Sequence, residues 1–216
     1  MLMEPALKND DKHPEREGRI RQKNMKVILA AAEEEFVRNG FSGASIQGIA
    51  NRSGFSKANI LYYFGNKDGL YRAVLSGILD LWWSACEVLD PEAEPEQALA
   101  QYIAAKVEYS RKYPKASRIF ASEVIHGAPH IAKHLREEGS EWLEKFSAVI
   151  QSWIDQGKMD PVDPVYLLFL IWGATQHYAD FGAQVTRLTG KKLTKGDYGD
   201  ITDTLTQIVL KGCGIR

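Results

Sequence analysis

Cysteine is almost absent from the chain. The only two, Cys86 and Cys213 in 216 residues, are too few for a disulfide framework and form no CxxC pair, which fits a reducing, cytoplasmic compartment. No GxSxG, P-loop, HExxH or GxGxxG motif occurs, so an enzyme would have to rely on scattered residues, and no catalytic residue is assigned. Strand-like alternation of useful length is missing too, which points to an all-α chain. The apolar run Val165 to Ala174, VYLLFLIWGA, is too short to cross a bilayer. The opening segment MLMEPALKNDDKHPEREG has no apolar core and is not a signal peptide. No membrane partner is expected. The segment reads instead as disordered, residues 1–20 forming an arm. Its basic members Arg16, Arg19 and Arg21, with Lys23, are either a solvated tail or an arm touching DNA.

Net charge is also small, a formal −1, but it is unevenly spread. Between Arg16 and Arg72 there are ten Lys/Arg against five Asp/Glu, whereas Ala73 to Arg216 has fifteen against nineteen. A basic front and a mildly acidic remainder place a polyanion partner at the front. The length suits one large or two small domains. We read two, with boundaries at 21–66 and 67–216.

What is present is concentrated between Ser45 and Tyr71, SIQGIANRSGFSKANILYYFGNKDGLY. Ser45 can cap a short helix whose inward face holds Ile46, Ile49 and Ala50. Gly54 permits a tight corner, Phe55 plugs it, and Ser56 caps a second helix from Lys57 to Phe64. Ile60, Leu61 and Phe64 are expected to face inward. Lys57, Ala58, Asn59, Tyr62 and Tyr63 then face outward. This is the outline of a helix-turn-helix, which also occurs as ordinary packing. As a DNA reader, its second helix would offer Asn59 to adenine edges and Ala58 to a thymine methyl. Tyr62, Tyr63 and Lys67 suit phosphate oxygens, and Ser45, Ser56 and Lys57 complete the DNA-facing set. A preceding helix is expected from Arg21 to Gly40 with Met25, Ile28, Leu29, Ala32 and Phe36 inward and Glu33, Glu34 and Glu35 toward solvent.

The succession of an amphipathic helix ending at Gly40-Phe41, then Ser45, Ile49-Ala50, Gly54-Phe55-Ser56-Lys57, Leu61-Tyr62-Tyr63-Phe64, Asn66-Lys67 and Leu70 resembles the TetR family of repressors over about fifty residues. Tyr63, Leu61 and Gly65 depart from the histidine, tyrosine and lysine common there. The resemblance implies an N-terminal helix-turn-helix domain, a C-terminal helical domain for ligand binding and dimerisation, and double-stranded operator DNA as partner. A fourth helix from Lys67 to about Val88 would link the two, carrying Trp82 into the second domain. Its N-terminus and the Lys67 ammonium would hold a phosphate.

Beyond the break Asp90-Pro91-Glu92-Ala93-Glu94-Pro95, helices are expected at 96–112, 114–126, 129–138, 140–156, 163–181 and 198–211. The run after Asp163 is apolar all round. It requires burial on two sides, by its own core and by a partner subunit. The helix before it carries a matching stripe of Trp142, Leu143, Phe146, Val149, Ile150 and Trp153. His126, His130 and His134 have a ligand-like spacing, but Gly127 and Pro129 interrupt them and no cysteine completes a set, so no metal is assigned.

Gln176, His177, Tyr178 and Asp180 enter this apolar helix and need partners. Trp172 and Gln176, one turn apart, suit a small planar heterocycle with amide edges; an internal hydrogen-bond network accounts for them equally well. Here a second resemblance enters. Leu79-Asp80, Trp82, Tyr109-Ser110-Arg111, Tyr113-Pro114, Ala116-Ser117-Arg118, Glu123, Gly127-Ala128-Pro129, Gly157-Lys158, Asp163-Pro164 and the stretch from Thr175 to Phe181 are similar to the RutR-type branch of the family, concerned with pyrimidine utilisation. That implies an effector such as uracil or thymine, no other cofactor, and Trp82, Trp172, Gln176 and Tyr178 as its contacts. The expectation is a homodimeric, ligand-responsive repressor. The alternatives are a TetR-type repressor answering an unrelated small molecule and a helical enzyme.

Overall fold

The computed structural model describes residues 13–84 and 89–215, with side chains over 18–83 and 89–215. Among the described residues there are ten α-helices and no strand: α1 His13–Gly43, α2 Ile46–Ser53, α3 Lys57–Phe64, α4 Lys67–Ser84, α5 Pro95–Lys112, α6 Pro114–Ile125, α7 Ala132–Asp155, α8 Pro164–Asp180, α9 Gly182–Thr189 and α10 Lys195–Gly212. They divide into two compact units, one ending at Tyr71 and one beginning at Arg72.

In the first unit, Ile28, Ala31, Ala32 and Phe36 of α1 pack with Ile49 and Ala50 of α2, Ile60 of α3 and Leu70 and Tyr71 of α4 as a small closed core. Phe36, Phe41 and Tyr71 form an aromatic cluster in which Phe36 meets Tyr71 edge-on with ring centroids 4.7 Å apart. Two expectations need correction. The helix begins at His13, so Arg16, Arg19, Arg21 and Lys23 lie on helical backbone instead of in a disordered arm; residues 1–12 lie outside the described residues. Glu35 is buried, not solvent-facing, because Arg52 of α2 meets its carboxylate with Nε at 2.8 Å from Oε2. That hydrogen bond holds the Glu35 carboxyl below the usual range against the opposing effect of burial. Gly48 leaves room for it, since a Cβ there would press on the carboxylate and have to displace it.

In the second unit the core gathers α5, α7, α8 and α10 around Leu99, Tyr102, Ile103, Phe146, Ile150, Trp153, Leu168, Ile171 and Val209. Trp153 satisfies its buried indole N–H by donating to the carbonyl of Pro91 at 3.1 Å, which fastens the loop before α5. The expected helices at 129–138 and 140–156 are one, α7: Gly139 is tolerated in its interior, and the amphipathic stripe continues through it. That stripe is used within the chain. Phe146, Val149, Ile150 and Trp153 are all buried in its own core. The expectation had no helix at α9, which lacks a side-chain cap and follows α8 after a single residue. Sharp ends are seen where capping chemistry is strong. Asp163 accepts from the Val165 and Tyr166 N–H groups at the start of α8, and Thr194 with Asp197 forms a capping box on α10. The helix α4 is described to Ser84, so its expected continuation over 85–88, and Cys86 with it, lies outside the described residues.

Candidate nucleic-acid interface and effector site

The corner between α2 and α3 is built from local chemistry. The Ser45 hydroxyl accepts from the Gly48 N–H at 2.9 Å and that of Ser56 from Asn59 at 3.2 Å, so each helix starts where its serine can satisfy an orphan donor. Gly54 ends α2 in the left-handed region, φ 74°, and donates to Ala50. This fixes which side of α3 is buried. Ile60 is sealed, while Lys57, Ala58, Asn59 and Tyr62 are exposed, Tyr62 to 75%. Leu61 is exposed as well, contrary to the inward place expected for it: in an eight-residue helix the buried arc is narrow, and Leu61, about 100° round from the sealed Ile60, falls outside it on the side of the exposed Ala58. Tyr63 is only half-exposed. Its hydroxyl accepts from Asn24 Nδ2 of α1 at 3.2 Å, and the Arg21 guanidinium lies 6.0 Å from its ring centroid. Tyr62 and Tyr63 meet edge-on at 5.4 Å.

The Lys67 ammonium takes a different place from the phosphate contact expected of it. It donates to the carbonyls of Phe41 at 2.8 Å, Ala44 at 3.1 Å and Ser42 at 3.4 Å, and sits 4.6 Å from the Phe41 ring centroid. With three donors on three carbonyls, it closes the C-terminal end of α1. The cation lies against the backbone of the GFSGA stretch, where α1 ends. The exposed face of α3 carries an amide, a methyl, an ammonium and a phenol, and Arg21 of α1 lies against Tyr63 at its side. These are groups that donate to phosphate or read base edges.

In the second unit, Trp82 of α4 and Trp172 of α8 converge on one point. Between them stands the ammonium of Lys106 from α5, its Nζ 4.9 Å from the Trp82 ring centroid and 5.4 Å from that of Trp172. Around this point, Trp82 meets Phe120 edge-on at 4.4 Å, Trp142 stacks on Trp172 at 5.5 Å, and the Trp172 Nε1–H donates to the Tyr102 hydroxyl at 2.7 Å. Gln176 lies one turn beyond Trp172 and is half-buried. Sequence reasoning missed Lys106, although the signal was there: it occupies a stripe position of α5 shared with Tyr102, Ile103, Val107 and Ser110, where a cation is out of place.

Tyr178 is not brought to this point. Six residues on from Trp172 it lies on another side of α8, lining a cleft of roughly 270 Å³ with Arg118, Asp180, Thr186, Lys192 and Tyr198. Asp180 stands near both places. It pairs with the Ser117 hydroxyl, and burial raises its carboxyl, opposed by that hydrogen bond and by the charges of Lys106 and Arg118. The three histidines are separated in role. His126 Nδ1 meets the Ser122 carbonyl, His130 engages the buried Glu123, and His134 pairs with Glu138 under the Trp83 ring. No group of three or more metal-ligating side chains occurs among the described residues. No described helix is long and apolar enough to cross a membrane.

Comparison with known proteins agrees with both units. The family model for bacterial regulatory proteins of the tetR family matches residues 28–74, and that for the C-terminal region of YcdC-like proteins matches 75–216. The chain is 40% identical over 188 residues to the HTH-type transcriptional regulator RutR of Escherichia coli, covering 87% of this chain and 89% of that one. It is 35% identical over 128 residues to the HTH-type transcriptional repressor NicS of Pseudomonas putida, covering 58% and 60%. Among solved structures, AibR in complex with isovaleryl coenzyme A and operator DNA shares the fold with a TM-score of 0.65 at 19% identity, over 86% of this chain and 97% of that one. A TetR-like transcriptional regulator from Rhodococcus gives 0.63 at 21%, over 89% and 97%.

Proposed function

The chain belongs to the tetR family of bacterial regulatory proteins, and from that premise we propose a homodimeric cytoplasmic repressor that reads an inverted-repeat operator and is released by a pyrimidine base. It is a DNA-binding transcriptional regulator and not an enzyme. Its first unit supplies the reading head. Lys57, Tyr62 and Tyr63 hold phosphates from the exposed side of α3, Asn59 and Ala58 address bases, and Ser45 and Ser56 set the helix ends that aim them. Relief by the effector follows from α4, one continuous helix that begins at Lys67 and carries Trp82 to the effector site. A shift at Trp82 alters the setting of α4, and two heads on successive groove faces tolerate little change in spacing.

The observation that supports the effector reading is that two indoles, Trp82 and Trp172, flank one point at the Lys106 ammonium, with Gln176 one turn further along α8. Indole faces cover a flat ring. The Gln176 amide can donate and accept on its edge, and a ring lacking the matching group leaves that amide unpaired at about 1 to 3 kcal/mol. The pyrimidine link is also supported by the 40% identity to RutR across nearly the whole chain. The test is calorimetric titration of uracil and thymine into the full-length protein, with duplex DNA mobility shifts run at the same concentrations. Gln176→Ala is expected to weaken effector binding by about ten-fold or more while DNA binding persists. If neither base binds at millimolar concentration, the effector is of another class.

A further inference from the structure

Within the second unit α4 is attached to α6 at two places. At one, the Trp82 ring meets Phe120 edge-on at 4.4 Å. At the other, about 15 Å back along the axis of α4, Arg72 Nη1 donates to the carbonyl of His130 at 3.0 Å. His130 is itself held by Glu123 of α6: its backbone N–H donates to Oε1 at 2.6 Å, and its ring Nδ1 lies 3.2 and 3.0 Å from the two carboxylate oxygens. The carboxylate can only accept, so Nδ1 carries the proton.

This second attachment is stiff. Glu123 is buried, and its backbone carbonyl accepts from the Ala128 N–H at 2.8 Å, so one residue of α6 grips the loop to α7 by both its side chain and its main chain. Ala128 is held at φ 56°, a left-handed conformation that an alanine keeps only where its surroundings over-determine it. A helix fastened at one place answers a push there by shifting locally. Fastened at a second, stiff place, it must turn about that place.

From this geometry we propose that the chain Arg72–His130–Glu123 is the fulcrum of α4, with Glu123 as its positioning residue. A ligand that displaces the Trp82 end turns the helix about Arg72, and the turn that begins at Lys67 moves in consequence. The inference rests on the reading of Trp82 as part of the effector site, and adds to it the residues that convert occupancy there into a new setting of α4.

The experiment uses the full-length protein as wild type, Glu123→Met, Arg72→Met and the double variant, with thermal melts to establish that each is folded. Uracil affinity is measured by calorimetry, and operator affinity by mobility shift with and without saturating uracil. The ratio of the two operator affinities is the readout, because a general effect of the lost Arg72 charge on DNA binding cancels in it. Each single substitution is expected to bring that ratio toward one, by about five-fold or more, while uracil affinity stays within about three-fold. The double variant should lose no more than either single, the mark of one connected chain. A ratio of one in wild type, a ratio unchanged in both single variants, losses that add in the double, or a loss matched by weaker uracil binding overturns the fulcrum and leaves the effector reading intact. Failure of wild type to bind uracil at millimolar concentration overturns the effector reading and the fulcrum with it. Arg72 is exposed, so Arg72→Met decides the matter even should Glu123→Met not fold.

Discussion

Lys57 and Lys67 are both lysines at the first position of a helix, but their ammonium groups have opposite surroundings. Lys57 is exposed, while Lys67 is tied to three backbone carbonyls at the end of α1. Truncating each therefore has a different consequence. Lys67→Ala leaves carbonyls of Phe41, Ser42 and Ala44 without their cation, and is expected to lower stability by about 1.5 to 3 kcal/mol, the range for hydrogen bonds to a charged group. This reads out as a lower urea midpoint at unchanged slope. Lys57→Ala should leave the midpoint alone and reduce the salt dependence of DNA binding by about one ion per head. The reverse pattern would return the phosphate role to Lys67.

Among the elements, α8 carries the most unusual distribution of apolar surface. Leu167, Leu168, Ile171 and Ala179 are buried, but Tyr166, Phe169, Leu170 and Phe181 are 52 to 75% exposed at spacings that put them on the other side of the helix. The α10 residue Ile208 is 59% exposed as well, and α10 packs on α8. A second copy of the chain is the natural cover for such a surface, since monomers rarely leave several hundred Å² of contiguous apolar area in water. In the proposed homodimer the subunit contact would fall on α8 and α10, whereas the sequence pattern pointed to α8 with the helix before it. Leu170→Glu, which places a charge on the exposed side of α8, is expected to give a folded monomer at micromolar concentration in sedimentation, with helical circular dichroism retained. Persistence of the dimer would move the interface elsewhere.

For the whole molecule, repression relieved by a ligand is a coupling between two sites and must be reciprocal. If the effector lowers operator affinity by some factor, saturating operator DNA lowers effector affinity by the same factor, with five- to 150-fold, or roughly 1 to 3 kcal/mol, as the ordinary span. Effector titrations with and without operator duplex measure one side, and operator titrations with and without effector the other. Equality of the two factors is expected. An effector that binds with the same affinity to free and operator-bound protein shifts nothing, and would remove relief of repression from the account.

The division between sequence and tertiary structure follows the range of the interactions involved. Capping serines Ser45 and Ser56, the left-handed Gly54, the Asp163 cap and the all-α composition act over a few residues, so the helix-turn-helix and most helix starts were legible from local pattern. The roles of Glu35, Lys67 and Lys106 were not. Each depends on a partner from a distant part of its own unit, such as Arg52 for Glu35 or the Phe41 carbonyl for Lys67, and a charged residue in one dimension reads as solvated until that partner is known. The same holds for Leu61, whose exposure is set by how narrow an arc α3 buries, and for α7, whose apolar stripe could serve a partner or its own core until α5 and α8 claimed it. Tyr178 shows the geometric limit most simply: proximity to Trp172 along the chain left it on a different side of α8, because each residue turns the helix by about 100°.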